Sequence, residues 1–166
     1  MSKCINEVHR ALGYIGISGK TITRISNDEL HIPRQTPTGN NYDLFIWSEQ
    51  NDTITFQSIV FKNVYGSSEK ELGFYQVLLY YNNYINFANF SIARSEKEDE
   101  WDIILTSNQF CNGMNPKTVT QIVRTFDYAY TELVPKLHQQ AKKWRLEFNG
   151  RIRNDFGRFL SDGLED

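Results

Sequence analysis

This chain predicts an α+β fold: a twisted antiparallel sheet packed against helices in the order helix, strands, helix, strands, helix. Three observations carry that expectation. Two pairs of aromatic and β-branched runs, 42–47 with 53–61 and 87–94 with 101–106, are joined by links too short for a crossover helix, so each pair closes as an antiparallel hairpin. Apolar residues at intervals of three and four mark helices before, between and after those pairs. Finally, 166 residues that are 40% hydrophobic and 14% aromatic, with only 4 Pro and 10 Gly, suffice for one core without a metal or disulfide staple.

In chain order, Ile5, Val8, Leu12 and Ile15 form one stripe of a short amphipathic helix that Gly13 and Gly16 terminate. A short strand over 21–26 follows, and two prolines, a glycine and two asparagines make 33–41 a loop. Tyr42 to Ser48 and Thr53 to Phe61 are the first strand pair, with Leu44 and Ile46 on one face and Phe45 and Trp47 on the other. Ser68 with Glu71 has capping-box spacing, and Leu72, Tyr75, Leu78, Leu79 and Tyr81 build the apolar face of a helix over 69–85. The second pair is joined by the acidic turn 95–99, read as solvated. Asn115 ahead of Pro116 is a good N-cap before a first-turn proline, opening a long helix over 116–134 in which Pro135 forces a kink or restart. From Lys142 to Arg158, six basic and two acidic residues are interleaved with Trp144, Phe148 and Phe156. We therefore divide the chain into a single α+β domain, 1–141, and a basic amphipathic C-terminal appendage, 142–166, whose aromatic residues pack back on the domain.

The residue chemistry argues against an enzyme. Gly13, Gly16 and Gly19 lack the spacing and the preceding strand of a dinucleotide cradle. His9, His31 and His138 lie in three different elements, none at zinc-ligand spacing from a second His or a Cys, and Cys4 and His9 do not share a helical stripe. Glu98, Asp99, Glu100 and Asp102 lack the calcium-loop pattern. The expectation is no catalytic residue, no metal and no cofactor. Cys4 and Cys111 are too few for a disulfide framework and are expected as reduced thiols. The absence of an apolar stretch long enough for a signal core or a membrane span makes a cytoplasmic address the expectation. A net charge of −2 makes nucleic acid an unexpected partner, although rings interleaved with cations in the tail have the chemistry to bind it.

Two segments carry a resemblance. Leu79-Tyr80-Tyr81-Asn82-Asn83-Tyr84-Ile85-Asn86-Phe87-Ala88-Asn89-Phe90-Ser91-Ile92 and Phe110-Cys111-Asn112-Gly113-Met114-Asn115-Pro116 resemble, respectively, the end of the central helix with its following strand and the link into the last helix of the YbjN and Tir-chaperone (type III secretion chaperone-like) superfamily. The resemblance spans Tyr42 to Gln140, and its element order is that superfamily's. It implies a small non-enzymatic protein that dimerises and binds partner polypeptides through apolar surface. Large aromatic side chains suit such contacts, because they bring area at modest entropic cost. The candidate partner-binding residues are Tyr42, Phe45, Trp47, Phe74, Tyr81 and Tyr84. The sequence thus reads as a chaperone-like or regulatory binding module, a homodimer through the central helix or an exposed sheet face, and a binder of one protein or polypeptide partner. The alternatives are an immunity or adaptor protein blocking one specific partner through a charge-matched surface, and a small hydrolase or nucleotide-binding enzyme. The last needs Cys4, His9 or His31 to converge with carboxylates in a pocket.

Overall fold

The computed structural model describes residues 3–49, 52–94 and 100–148. Helix α1 (Lys3–Tyr14) precedes strands β1 (Thr23–Ser26), β2 (Glu29–Gln35), β3 (Asn41–Ser48) and β4 (Thr53–Tyr65). Helix α2 (Ser68–Asn82) then leads to β5 (Asn89–Arg94) and β6 (Glu100–Phe110), and α3 (Pro116–Tyr128) and α4 (Val134–Lys143) follow. The six strands form one antiparallel sheet in the order β1-β2-β3-β4-β6-β5, and a two-residue strand β7 (Glu147–Phe148) pairs with the end of β4. This is the α+β architecture the sequence predicts.

The stripe of α1 buries Ile5, Val8 and Leu12 completely, and Gly16 at φ 86° turns the chain out of the helix. The expected loop over 33–41 is corrected, because β2 runs through Pro33 to Gln35. Strand geometry explains how a proline fits. The Thr36 amide donates to the Asn40 carbonyl and the Ser48 amide to the Asp28 carbonyl, so even-numbered β2 residues are the ones bonded to β3. Pro33, opposite Asp43, points its missing N–H the other way, and β1 pairs no farther along β2 than His31. That side of β2 is already an edge, where proline costs no ladder bond.

Alternation on β3 and β4 is as read: Leu44, Ile46, Ile54 and Phe56 are fully buried, and Phe45 and Trp47 are half-buried on the other face. β4 extends beyond Phe61 through an irregular stretch in which Asn63, at φ 50°, donates its amide to Asp102 Oδ1 at 2.7 Å. α2 is capped by Ser67, one residue before the predicted cap. Its buried face matches the predicted one only in part: Leu78 is buried together with Phe74, whereas Leu72, Tyr75 and Leu79 are exposed. Phe74 packs against Trp101 of β6, ring centroids 6.2 Å apart, and this contact holds α2 to the sheet. α3 opens as predicted, with the Thr118 amide donating to Asn115 Oδ1 at 3.0 Å. The helix then widens into a π-helical turn over 129–133 and restarts at Val134, one residue before Pro135. Of the C-terminal appendage, Leu146 is buried and the Trp144 ring lies where a Cβ on Gly73 would fall; Phe156 and the acidic turn 95–99 lie outside the described residues.

The reduced thiols expected from the sequence are also corrected. Cys4 of α1 and Cys111 in the turn before α3 form a disulfide, with Cα atoms 5.3 Å apart across a sequence separation of 107. Packing of α1 on α3 brings together two residues whose spacing carries no pairing signal.

Candidate binding surface

The structure distributes the six predicted residues over three environments. Phe74 is fully buried. Tyr42 is buried too, stacked on Tyr130 with centroids 4.3 Å apart and 10° between planes, and its hydroxyl donates to Asp127 Oδ1 at 2.7 Å. Phe45 and Trp47 are half-buried on the other face of β3, where Phe45 stacks on His31 at 4.8 Å. Tyr81 is partly buried, and Tyr84 is 53% exposed. Phe45 and Trp47 therefore form one sheet-face pair, and Tyr81 and Tyr84 belong to a second patch at the end of α2.

Around Tyr42 lies a polar lock between sheet and helix. Arg34 and Tyr42 are cross-strand neighbours on β2 and β3, and both reach Asp127 of α3, the guanidinium at 2.8 Å. One turn on, in the π-helical segment, the Tyr130 hydroxyl lies 2.6 Å from Ser58 Oγ and donates to the Ile59 carbonyl at 3.1 Å. Burial, with Asp127 adding to it, holds the Tyr42 phenol well above its ordinary pKa, and burial likewise raises Tyr130. The sign of the consequence is fixed. A phenol that keeps its proton more tightly when folded contributes stability that is fully present below the unfolded value of about 10 and is lost as pH rises through the folded value. Alkaline titration of unfolding free energy should therefore fall steeply above about pH 10, and Tyr130→Phe should flatten that fall; an unchanged slope would exclude Tyr130 as a source.

The second patch starts at a helix stop. The Asn82 side chain clamps the backbone of Phe90, its Oδ1 accepting from the Phe90 amide at 2.7 Å and its Nδ2 donating to the Phe90 carbonyl at 2.9 Å. This ties the end of α2 to β5 and fixes the turn between them. Tyr80 and Tyr84 share a hydroxyl–hydroxyl hydrogen bond of 2.8 Å with their rings edge to face, and that bond raises the Tyr84 phenol above its ordinary pKa. Phe87 in the same turn stands at φ 65° with its ring 45% exposed. Between this turn and α3 runs an open groove of about 370 Å³, lined by Tyr84, Ile85, Phe87, Arg124 and Tyr128, with Gln121 and Thr125 at its polar wall. Sequence reasoning found Tyr84 but placed Phe87 in a strand and singled out neither Arg124 nor Tyr128.

Of the groups weighed for catalysis, Cys4 lines a pocket with Glu7, Glu49 and Asp52, but its sulfur is held in the disulfide and offers no thiol; His31 Nε2 meets Asp43 Oδ1 at 2.7 Å on the sheet face beside Phe45. Among the described residues no group of three or more His, Cys, Asp or Glu is arranged to hold a metal ion, and no helix is long and apolar enough to cross a membrane.

The fold has a likeness among solved structures. The chain superposes on the crystal structure of YbjN from E. coli, a proposed transcription regulator, with a TM-score of 0.54 over 86% of this chain and 93% of that one. The fold is that of YbjN. Identity is 15%, so the likeness concerns the fold alone, as the order of elements implies from sequence; α2 itself stops at Asn82, short of the predicted residue 85. No family model and no curated protein matches the chain. In the YbjN fold as this chain builds it, the turn between α2 and β5 and the stripe of α3 facing it bring three exposed rings, Tyr84, Phe87 and Tyr128, to one groove.

Proposed function

We propose that the chain is a non-enzymatic binding module, chaperone-like or regulatory, that holds a partner polypeptide on the aromatic surface running along α2 into the α2–β5 turn. One observation carries the reading: Leu72 is 63% exposed, Leu79 48% and Tyr80 56% on a helix that buries only Phe74 and Leu78, and Tyr84 in the turn directly after it is 53% exposed. Exposed apolar area concentrated on one element marks an interaction surface, and tyrosine is the side chain that interfaces favour for its area and its hydroxyl. Phe74, buried beneath α2, supports this surface, and Tyr42, buried against α3, is not offered to the partner. Phe45 and Trp47 on the sheet face are our candidates for the homodimer contact.

The test compares complexes captured from native cells by the full chain and its folded variants. Replacing both Tyr80 and Tyr84 with Ala should weaken the partner complex by about 2 kcal/mol, or roughly thirtyfold. His9→Ala and His31→Ala should leave it unchanged. Loss of function in a folded histidine variant, with the tyrosine variant intact, would sink the binding-module reading and call for a catalytic one. Light scattering on Phe45→Ser and Trp47→Ser checks the dimer; a wild-type chain that stays monomeric at micromolar concentration excludes it.

A further inference from the structure

The groove beside the α2–β5 turn has a charge as well as a shape. Its lining holds Arg124 and no carboxylate, and among the described residues Arg124 takes part in none of the ion pairs. Lys117, Gln121, Arg124 and Tyr128 follow one another at helical intervals of four, three and four, so a single stripe of α3 presents two cations and a tyrosine toward the same side. Across the groove stand Tyr84 and Phe87. For an aromatic residue, φ of 65° is a genuine outlier that the backbone adopts at a cost. The Asn82 clamp holds the turn in this form although the Phe87 ring gains little burial from it.

We propose that this groove recognises an acidic, apolar-anchored peptide segment of the partner, with an aliphatic or aromatic side chain seated among Tyr84, Phe87 and Tyr128 and an adjacent carboxylate paired with Arg124. The inference rests on the binding-module reading and adds the chemistry of the partner to it. The planar fork of arginine matches a carboxylate bidentately, which fixes the register of the segment, and the rings supply contact area at low entropic cost. A single-stranded nucleic acid also stacks on rings, but it needs cations tracking successive phosphates, and here two stand alone on a chain of net charge −2. A peptide is the occupant this balance favours.

Panning a random peptide library against the full chain, followed by anisotropy with the best binder, tests the proposal. Enriched sequences should place Asp or Glu beside Leu, Phe or Trp, and binding should weaken several-fold as salt is raised. Arg124→Glu should reduce it at least tenfold with unchanged thermal stability. Phe87→Gly should also reduce it at least tenfold while leaving the thermal midpoint little changed, because relief of the backbone offsets the lost ring; a purely structural phenylalanine would lower the midpoint instead. Enrichment of basic or neutral sequences, no enrichment, tighter binding of oligouridine than of any peptide, or indifference to Arg124→Glu would each overturn the proposal. If captured partners still depend on Tyr80 and Tyr84 in that event, only the charge inference fails; if they do not, the binding-module reading fails with it.

Discussion

Replacing Cys4 and Cys111 together with Ala is expected to lower the unfolding free energy by about 2–5 kcal/mol, the range for loss of a native disulfide. The staple spans a sequence separation of 107. Loop-closure entropy grows with loop length, and for a loop of about 100 residues the chain-entropy account puts it near 4.7 kcal/mol. Its local effect is on α1, whose attachment otherwise rests on Ile5, Val8, Leu12 and their neighbours. Reductant should lower the urea midpoint of the wild type to that of the double variant and leave the double variant unmoved. Equal midpoints with and without reductant would refute the staple. The disulfide also pulls against the cytoplasmic address expected from the sequence, since glutathione keeps cytosolic thiols reduced. A free-thiol count on protein taken from its native cell decides which compartment chemistry it meets.

The elements that sequence made legible are those whose signal is local. Alternation in Tyr42 to Trp47 and the Asn115-Pro116 cap specify strand and helix through neighbours a few residues away, and the structure agrees with both. β2 was hidden because proline is read as punctuation; only the pairing partners on either side show that the amide missing at Pro33 lies on an unpaired edge. The face of α2 was misread in part for a different reason. The helix is apolar nearly all round, so periodicity cannot choose which stripe is buried, and the choice is made by Trp101 and Trp144, distant in sequence. The same limit governs the site. Tyr84 stands out in a tyrosine-rich segment, but Arg124 becomes informative only when α3 is laid beside the α2–β5 turn.

Asp127→Ala should be the most damaging single polar substitution, at about 2–4 kcal/mol. Removing one partner of a buried ion pair costs roughly 3–5 kcal/mol because the other charge stays behind unpaired. Arg34 and Asp127 keep 21% and 20% of their side-chain surface in water, which moves the expectation toward the lower end. Two groups are orphaned at once: the guanidinium, whose Nε already has no partner in the structure, and the hydroxyl of buried Tyr42. Asp127→Asn keeps an oxygen to accept from Tyr42 and fills the same volume, losing the charge and the acceptor for Arg34, so it should cost less than Ala. Replacing Arg34 with Met and Asp127 with Leu, singly and together, closes a double-mutant cycle with the wild type; the double variant removes both charges and should recover part of the loss, so the coupling is favourable and larger than that of an exposed pair. Urea unfolding at neutral pH measures all four species. A cost below about 1 kcal/mol for Asp127→Ala, the range of a surface pair, would mean that water already shares this site and that the packing of Tyr42 on Tyr130, rather than the carboxylate, fastens α3 to the sheet.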